Sequence, residues 1–426
     1  MISKFTFPSV RQGDYAVIAG LIAAIGSPQT MANAAEAFSD ERLIAIERDV
    51  AAFEDEATQT LVDVGSIISP SGQEHERAAK VAEEMRVIGL KNVKVTKDRN
   101  VIGRIKGRSG KAVVFVSTLD DLKTVAEHQR KRGAPLNVSG RRVEGPGSNT
   151  SSTTVAMLAA AQALIDVNLK PKHDIIFAAV AEEETGLDGM RALYDAYQED
   201  ALLFVDVLGD GSSISYGALG IHWWKVVAEG PPGHTLRGGL PNINLAIARA
   251  VERIFALPQP SEFEDRMTRV NVAILNSGKV FNHKPPEGWF SLDIRSLDAP
   301  IIADIESDVR EILSEVSDET SISLEMVPEN MTPGGQIPGA LESDLVRWSV
   351  QIAKRLGLEP RLSDAGSANL NIAIANGTPA IGLGGERGGQ RGHPGEWADI
   401  DAMMRTARHV ALLGYLMGQD VPAPAE

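Results

Sequence analysis

Three adjacent glutamates follow an apolar run of the chain and form its strongest chemical signal. Glu182, Glu183 and Glu184 come directly after residues 174–180, which read as a buried strand, and Gly186 then lets the chain turn. In open α/β sheets, reactive groups gather where parallel strands end. Adjacent carboxylates repel one another, so folding alone gives no reason to place them there, whereas a bound metal or a proton-transfer role does. The alternative is a solvated loop after a strand.

Three further segments could share a cleft with this acid cluster. They are a strand end at residues 116–121, a Gly-rich loop at residues 145–150 and the segment 392–397, which carries His393. Each falls at a strand end or a helix start, where a common cleft would form. The Gly-rich loop does not match a phosphate-binding fingerprint.

Composition limits the kind of protein and the kind of metal site. The chain has 426 residues, of which 43 % are hydrophobic and 23 % charged, as expected for a soluble globular protein with room for two domains. Its net charge of -15 argues against nucleic acid or anionic membranes as partners. The chain has no cysteine. Disulfides and thiolate ligands are therefore excluded, and any metal must be held by His, Asp or Glu, which suits Mn, Zn or Co.

The first 34 residues leave the location of the protein open. Lys4 and Arg11 precede an apolar run at residues 16–25, and a small-residue sequence ends at Ala34, as in a secretory signal peptide. The alternatives are an amphipathic helix of a cytoplasmic protein, or Met31 as the real start. The run is too short to span a bilayer, and we expect no stable membrane insertion.

The order of predicted elements indicates an α/β fold with a mostly parallel sheet flanked by helices. Helices are expected over residues 41–67 and 153–165, the second preceded by a capping Ser/Thr cluster. After about Gly211 the order becomes β-α-β-β-α-β, which predicts an inserted ferredoxin-like α+β lid. The predicted units are an N-terminal segment (1–40), a discontinuous catalytic metal-binding domain (41–211 and 330–420) and a lid or dimerisation domain (212–329).

From about Glu41 to Met417 the sequence resembles the M20 metallopeptidases, which include peptidase T-like and carboxypeptidase G2-like enzymes. The most specific matches are the Glu-Glu-x-Gly motif at residues 183–186 and His393, which precedes Glu396. The resemblance implies a catalytic domain with an inserted lid. It also implies a homo-oligomer formed through that lid.

The resemblance also implies roles for single residues. Glu183 would be the general base that deprotonates water at a metal, with Glu184 and His393 as metal ligands and Asp206 as a further acid ligand. Glu182 would modulate the pair beside it. Three lid residues match positions that contact substrate in the family: His234, Asn282 and Arg295.

Two departures from the family pattern change the expected metal count. The family's His-x-Asp motif has Thr118 at the histidine, and its bridging aspartate falls at Thr150. A hydroxyl is a poor substitute for imidazole or carboxylate at a transition metal. We therefore expect one metal per subunit, with Thr118 and Thr150 as candidate substrate contacts. Asp120 loses the histidine that it would flank and becomes a candidate to orient a ligand.

Three functions remain open on this evidence. The first is a one-metal hydrolase of C–N bonds in substrates more activated than a peptide. The second is a peptidase or amidohydrolase with an unusual site, and the third is a non-catalytic binding protein. Retention of both Glu183 and Glu184 weighs against the third. The departures resemble those of M20-like aminohydrolases, which implies hydrolytic deamination of 5-nitroanthranilate, a small substrate that carries a carboxylate.

Overall fold

The computed structural model describes residues 41–258 and 266–423. The predicted signal segment lies outside these residues. No helix within the described ranges is long and apolar enough to cross a membrane.

Eleven α-helices and nineteen strands cover the described residues. The helices are α1 Glu41–Ala52, α2 Glu54–Gly65, α3 His75–Ile88, α4 Lys123–Arg132, α5 Ser148–Asp166, α6 Asp188–Tyr197, α7 Ile243–Ala256, α8 Ala299–Thr320, α9 Asp344–Arg355, α10 Leu370–Ala375 and α11 Ile400–Gly418. The strands are β1 Lys91–Val95, β2 Val101–Ile105, β3 Ala112–Thr118, β4 Asn137–Ser139, β5 Arg142–Glu144, β6 Asp174–Val180, β7 Ala201–Val207, β8 Ser213–Ser215, β9 Gly220–Glu229, β10 Gly233–His234, β11 Arg269–Asn271, β12 Leu275–Ser277, β13 His283–Lys284, β14 Glu287–Ser296, β15 Ser323–Thr332, β16 Arg361–Ser363, β17 Ala380–Gly384, β18 Gly388–Gly389 and β19 Trp397–Asp399.

The main sheet has eight strands in the order β1-β2-β6-β3-β7-β17-β8-β16. Its centre is parallel, because β3 pairs in parallel with both β6 and β7, and β17 pairs in parallel with β7. Strand β3 is buried along its whole length: Val113 and Phe115 pack into the core beneath α5 and α11, and Val114 and Val116 into the core beneath α6 and α10. A strand covered on both faces reads as a continuous apolar run. The predicted fold class is confirmed.

The second sheet belongs to the chain between Gly220 and Thr332. Its strands lie in the order β11-β14-β9-β15, and β12 also pairs with β14. The long strands β9 and β14 pair in an antiparallel register over ten residues each. Helices α7 and α8 pack on this sheet around Val226, Phe290 and Val309. Apart from the short strands β10, β12 and β13, the element order is β9-α7-β11-β14-α8-β15, as in a ferredoxin-like unit. We call this part the lid.

Two helix predictions were wrong in detail. The expected single helix over residues 41–67 breaks at Phe53, where ψ is 6° and the amide donates to Val50 O at 3.2 Å. Apolar residues keep a helical spacing on both sides of the break, so the pattern does not reveal it. The helix expected from Thr153 starts at Ser148, and the Ser/Thr cluster lies buried inside it. Ser152 and Thr153 bond their hydroxyls to carbonyls three residues earlier.

The chemically interesting loops meet at one edge of the main sheet. Strands β3, β6, β7 and β17 run in the same direction, and the residues that follow them therefore lie at the same edge. This edge carries Asp120, the three glutamates, Asp206 and the Gly-rich segment after Gly384.

Candidate active site

The acid loop after β6 is held in place by Asp120. One carboxylate oxygen of Asp120 accepts the backbone N–H of Glu183 at 2.9 Å, and the other accepts that of Glu184 at 3.1 Å. Ser71 Oγ donates to the same carboxylate at 2.6 Å. Asp120 is completely buried, and burial is the main reason that its pKa rises to about 7. Asp120 therefore fixes the direction of both glutamates that follow the strand.

The side chain of Glu182 is engaged in a structural ion pair and is not available for catalysis in this conformation. Its backbone has a φ of +56°, and its carboxylate forms an ion pair with Arg99 at 2.7 Å. Arg99 also donates to the fully buried Glu74 at 2.6 Å, and Glu74 accepts the N–H groups of Gly72 and Glu182. The first of the three glutamates thus belongs to a network that anchors the turn.

Unlike those of Glu182 and Glu184, the carboxylate of Glu183 has no hydrogen-bond partner among the described residues. Its pKa is raised to about 7, first by burial and then by the nearby charges of Asp206 and Asp120. Arg387 and Arg391 lower that pKa through space without outweighing burial. A carboxyl group with a pKa near 7 can accept and return a proton at neutral pH.

Glu184, one of the predicted metal ligands, is largely buried and forms an ion pair with Arg391. His393 lies two residues after Arg391, in the same loop as that arginine, and is exposed. Its backbone N–H donates to Gln390 O at 2.9 Å, and its carbonyl accepts the N–H of Glu396. The pair with Arg391 places the His393 loop beside the acid loop.

Asp206, at the end of β7, faces the start of helix α10. Its two oxygens accept from Asn369 Nδ2 and from Leu370 N, both at 3.2 Å. It is 1 % exposed, and burial is the main reason that its pKa rises to about 7. The carboxylate is therefore bonded to a helix N-terminus in this conformation.

Glu396 joins the Gly-rich loop to the C-terminal loop. One oxygen of its carboxylate accepts the N–H groups of Gly147 and Asn149, which begin helix α5, at 2.9 and 3.1 Å. The other accepts Gly392 N at 3.0 Å. Glu396 is 1 % exposed. Its negative charge lies at the positive end of a helix dipole, and it ties the loop that carries Arg391 and His393 to α5.

The remaining predicted contact residues fall into two groups. Thr118 and Thr150 are both nearly fully buried, and their carbonyls accept hydroxyl groups of Thr154 and Thr153.

The lid residues bond to one another. Asn282 Nδ2 and His234 Nε2 are 3.0 Å apart, and His234 Nδ1 accepts Leu236 N. Arg295 donates to both oxygens of Asp293 in its own strand at 3.0 to 3.1 Å. Their contact with substrate stays a prediction.

Sequence reasoning missed Arg387 and Arg391. Both lie in the Gly-rich segment 384–392, between strand β17 and the His393 loop. The available signal was two cations in a Gly-rich loop that follows a strand of the same sheet as the acids. The glycines predict only a turn, and two arginines in a turn do not by themselves indicate a site, because arginines are common on surfaces.

The residues present do not fit a two-ion site but fit one divalent cation by charge and by donor chemistry. Thr118 and Thr150 offer only buried hydroxyls, whereas Asp120, Glu183 and Asp206 are acids whose charges burial disfavours at neutral pH. A cation beside them would offset this cost. In the described ranges, no three His, Asp or Glu side chains already surround a common point. Glu184 would have to leave Arg391 to bind a metal.

Comparison with known proteins places this geometry in a family. A family model described as Peptidase family M20/M25/M40 matches residues 124–414. Carboxypeptidase G2 of Pseudomonas sp. (strain RS-16) is 26 % identical over 322 residues, which cover 72 % of this chain and 74 % of that protein. Succinyl-diaminopimelate desuccinylase of Corynebacterium glutamicum is 24 % identical over 336 residues, which cover 77 % and 86 %.

Solved structures share the fold. A tripeptidase from Staphylococcus aureus superposes with a TM-score of 0.72 at 18 % identity and covers 86 % of this chain and 98 % of that one. A dinuclear metal binding M20 peptidase from Bacillus subtilis gives a TM-score of 0.64 at 14 % identity and covers 87 % and 100 %.

Proposed function

Because the chain belongs to peptidase family M20/M25/M40 and is a metal-dependent hydrolase, we propose that it hydrolyses a C–N bond in a small substrate that carries a carboxylate. One observation carries this proposal. Asp120 holds the backbone of the Glu183–Glu184 pair, while the Glu183 carboxylate has no hydrogen-bond partner within the described ranges and a pKa of about 7. Glu183 is therefore the general base.

The steps assigned to this chain concern proton movement and positioning. Glu183 takes a proton from water as the water oxygen attacks carbon, and it returns that proton to the departing nitrogen. Asp120 keeps Glu183 in place. A divalent ion held by Glu184, His393 and Asp206 would lower the pKa of water in the site and polarise the reacting bond.

We propose 5-nitroanthranilate as the first substrate to test, with 5-nitrosalicylate and ammonia as products. Because Thr118 and Thr150 stand where a histidine and an aspartate ligand are expected, the remaining side chains can hold only one ion. One ion cannot clamp both the attacking and the departing atoms. Such a site suits a substrate that stabilises its own transition state. The ring nitro group, para to the amine, delocalises the negative charge that forms when water adds to the amine-bearing carbon.

Amide hydrolysis of an acylated amino acid is the second candidate. It is favoured by the relatives, since a carboxypeptidase and a desuccinylase are among them. Both candidates use the same base and both substrates carry a carboxylate. Product analysis separates them, because one releases ammonia from an aromatic ring and the other releases a carboxylic acid.

Glu183→Gln tests the shared chemistry. We expect kcat to fall by about 10²- to 10⁴-fold, the usual contribution of a general base, while bound metal measured by mass spectrometry stays unchanged. Glu127→Gln, on the exposed side of α4, is the matched control and should keep full activity. Full activity in Glu183→Gln would refute its role. No turnover of 5-nitroanthranilate with any divalent metal, combined with hydrolysis of N-acyl amino acids, would move the assignment to the second candidate.

A further inference from the structure

Arg387 is held by a rigid stretch of backbone at the edge of the acid site. Its carbonyl accepts Asp399 N at 3.1 Å, and the adjoining strand β18 pairs with β19. A side chain at Gly388 could not be accommodated, because its Cβ would lie 2.1 Å from Trp397 O. The position of the Arg387 backbone is therefore fixed before any ligand arrives.

The guanidinium of Arg387 lacks a direct partner among the described residues. It is partly buried, and burial is the main reason that its pKa is lowered. Glu183, Glu396 and Asp206 favour its charge only through space, and none of them through a hydrogen bond. A partly buried guanidinium with five unused donors is costly unless a ligand completes its hydrogen bonds.

Two other arginines that could bind a carboxylate, Arg391 near the acids and Arg295 in the lid, already have partners. Arg391 forms its ion pair with Glu184, and Arg295 forms three hydrogen bonds with Asp293. Arg387 is also near enough to Glu183 to lower the pKa of that acid. An anion bound to Arg387 would therefore lie close to the proposed base.

We propose that Arg387 binds the carboxylate of the substrate and so determines the specificity of the site for anionic substrates. The planar guanidinium can donate two parallel hydrogen bonds to a carboxylate, a geometry that lysine cannot reproduce. This contact places the carbon that reacts beside Glu183. The inference rests on the proposed function only for the statement that the substrate carries a carboxylate.

Binding of matched ligand pairs tests this role independently of turnover. The pairs are anthranilate with anthranilamide, and N-acetylglycine with N-acetylglycinamide, measured by calorimetry on the full-length Glu183→Gln protein with added Mn²⁺ and again with EDTA. Adding Arg387→Met should weaken binding of the carboxylates by about 10- to 100-fold and that of the amides by less than about threefold. Arg387→Lys should give a smaller, still selective loss. Arg130→Met, on the exposed face of α4, is the control for folding and net charge.

The outcomes are distinguishable. Equal losses for acids and amides, or unchanged binding of the acids in both Arg387 variants, would overturn the proposal. So would a wild-type site that binds the amides as well as the acids. A selective loss without turnover of any tested substrate would support Arg387 as the carboxylate site while rejecting the proposed reaction.

Discussion

Three acids at this site share an unusual property, a raised pKa. Asp120, Glu183 and Asp206 all have pKa values raised to about 7, in each case mainly by burial. Two other buried acids are paired with arginines: Asp121 with Arg77, and Glu74 with Arg99. The contrast indicates that the site is short of positive charge, as expected where a cation binds.

This shift predicts how the stability of the metal-free protein depends on pH. The folded acids keep protons up to about pH 7, whereas the unfolded chain loses them near pH 4. The folded state therefore binds more protons, and the free energy of unfolding should decrease as the pH rises through 7. Between pH 6.5 and 8 the loss should be on the order of 1 kcal/mol for each buried acid. His409, whose pKa burial lowers to about 4, acts in the opposite direction only below about pH 6.5.

Urea unfolding at pH 6.5, 7, 7.5 and 8 in EDTA measures this slope. The same series in Mn²⁺ is the control, because a bound cation favours the ionised acids and should remove or reverse the decrease. A free energy of unfolding that is constant or increases with pH in EDTA would contradict the raised pKa values.

At this scale the sequence identified the acids and missed the cations. Glu183 and Glu184 stand out because adjacent carboxylates after a buried strand are unfavourable without a function. Arg387 and Arg391 are two separate arginines among glycines, and nothing in their spacing shows that the loop folds toward the acids. Their positions depend on pairing between β18 and β19 and on Glu396, which lies four residues after Gly392 and bonds to it. These constraints depend on how the loop folds and cannot be inferred from the spacing of its residues.

At the scale of elements, Arg99 connects three parts of the fold. It follows β1, bonds to Glu74 at the start of α3 and pairs with Glu182 in the turn after β6. Glu74 is fully buried, so its charge depends on this arginine and on two backbone amides. The network explains why three acids can follow one another: the first is neutralised by a distant element.

Removing this connection should destabilise the fold. In Arg99→Met the buried Glu74 loses its counter-charge, and we expect a loss of about 2–3 kcal/mol, less than for a fully buried pair because Arg99 is 18 % exposed. The measurement is urea unfolding at pH 7. Arg48→Met, which breaks an exposed pair with Asp49, should cost less than about 1 kcal/mol. Equal costs for the two variants would show that the network contributes no more than a surface pair.

Sequence patterns predicted elements better than their ends. The apolar strands and the order of elements in the lid follow directly from spacing and alternation. The break at Phe53 and the early start of α5 do not, because each depends on contacts made elsewhere: α5 begins where Glu396 accepts Gly147 N and Asn149 N. Self-association through the lid stays a prediction. Trp223 and Leu236 of the lid are exposed hydrophobic residues that such contacts could cover.

At the scale of the whole molecule, two strand connections join the lid to the main sheet and run side by side. Ala218 and Gly335 exchange two backbone hydrogen bonds, at 2.9 and 3.0 Å. Next to them, the backbones of Gly220 and Gly334 approach so closely that Gly334 has no room for a side chain. A Cβ at Gly334 would lie 2.4 Å from Gly220 N. The close approach of the two connections between the lid and the main sheet therefore depends on a glycine at position 334.

Gly334→Ala should separate these two connections. The added Cβ would meet backbone atoms of Gly220, so a side-chain rotation cannot relieve the strain. We expect a loss of about 1–3 kcal/mol in the free energy of unfolding. We also expect a higher KM, because the lid residues His234, Asn282 and Arg295 would shift relative to the main sheet. Gly239→Ala is the matched control, since an added Cβ there meets nothing within 4 Å. Urea unfolding and steady-state kinetics measure both effects. Wild-type stability and KM in Gly334→Ala would show that the connections can move apart without affecting the site.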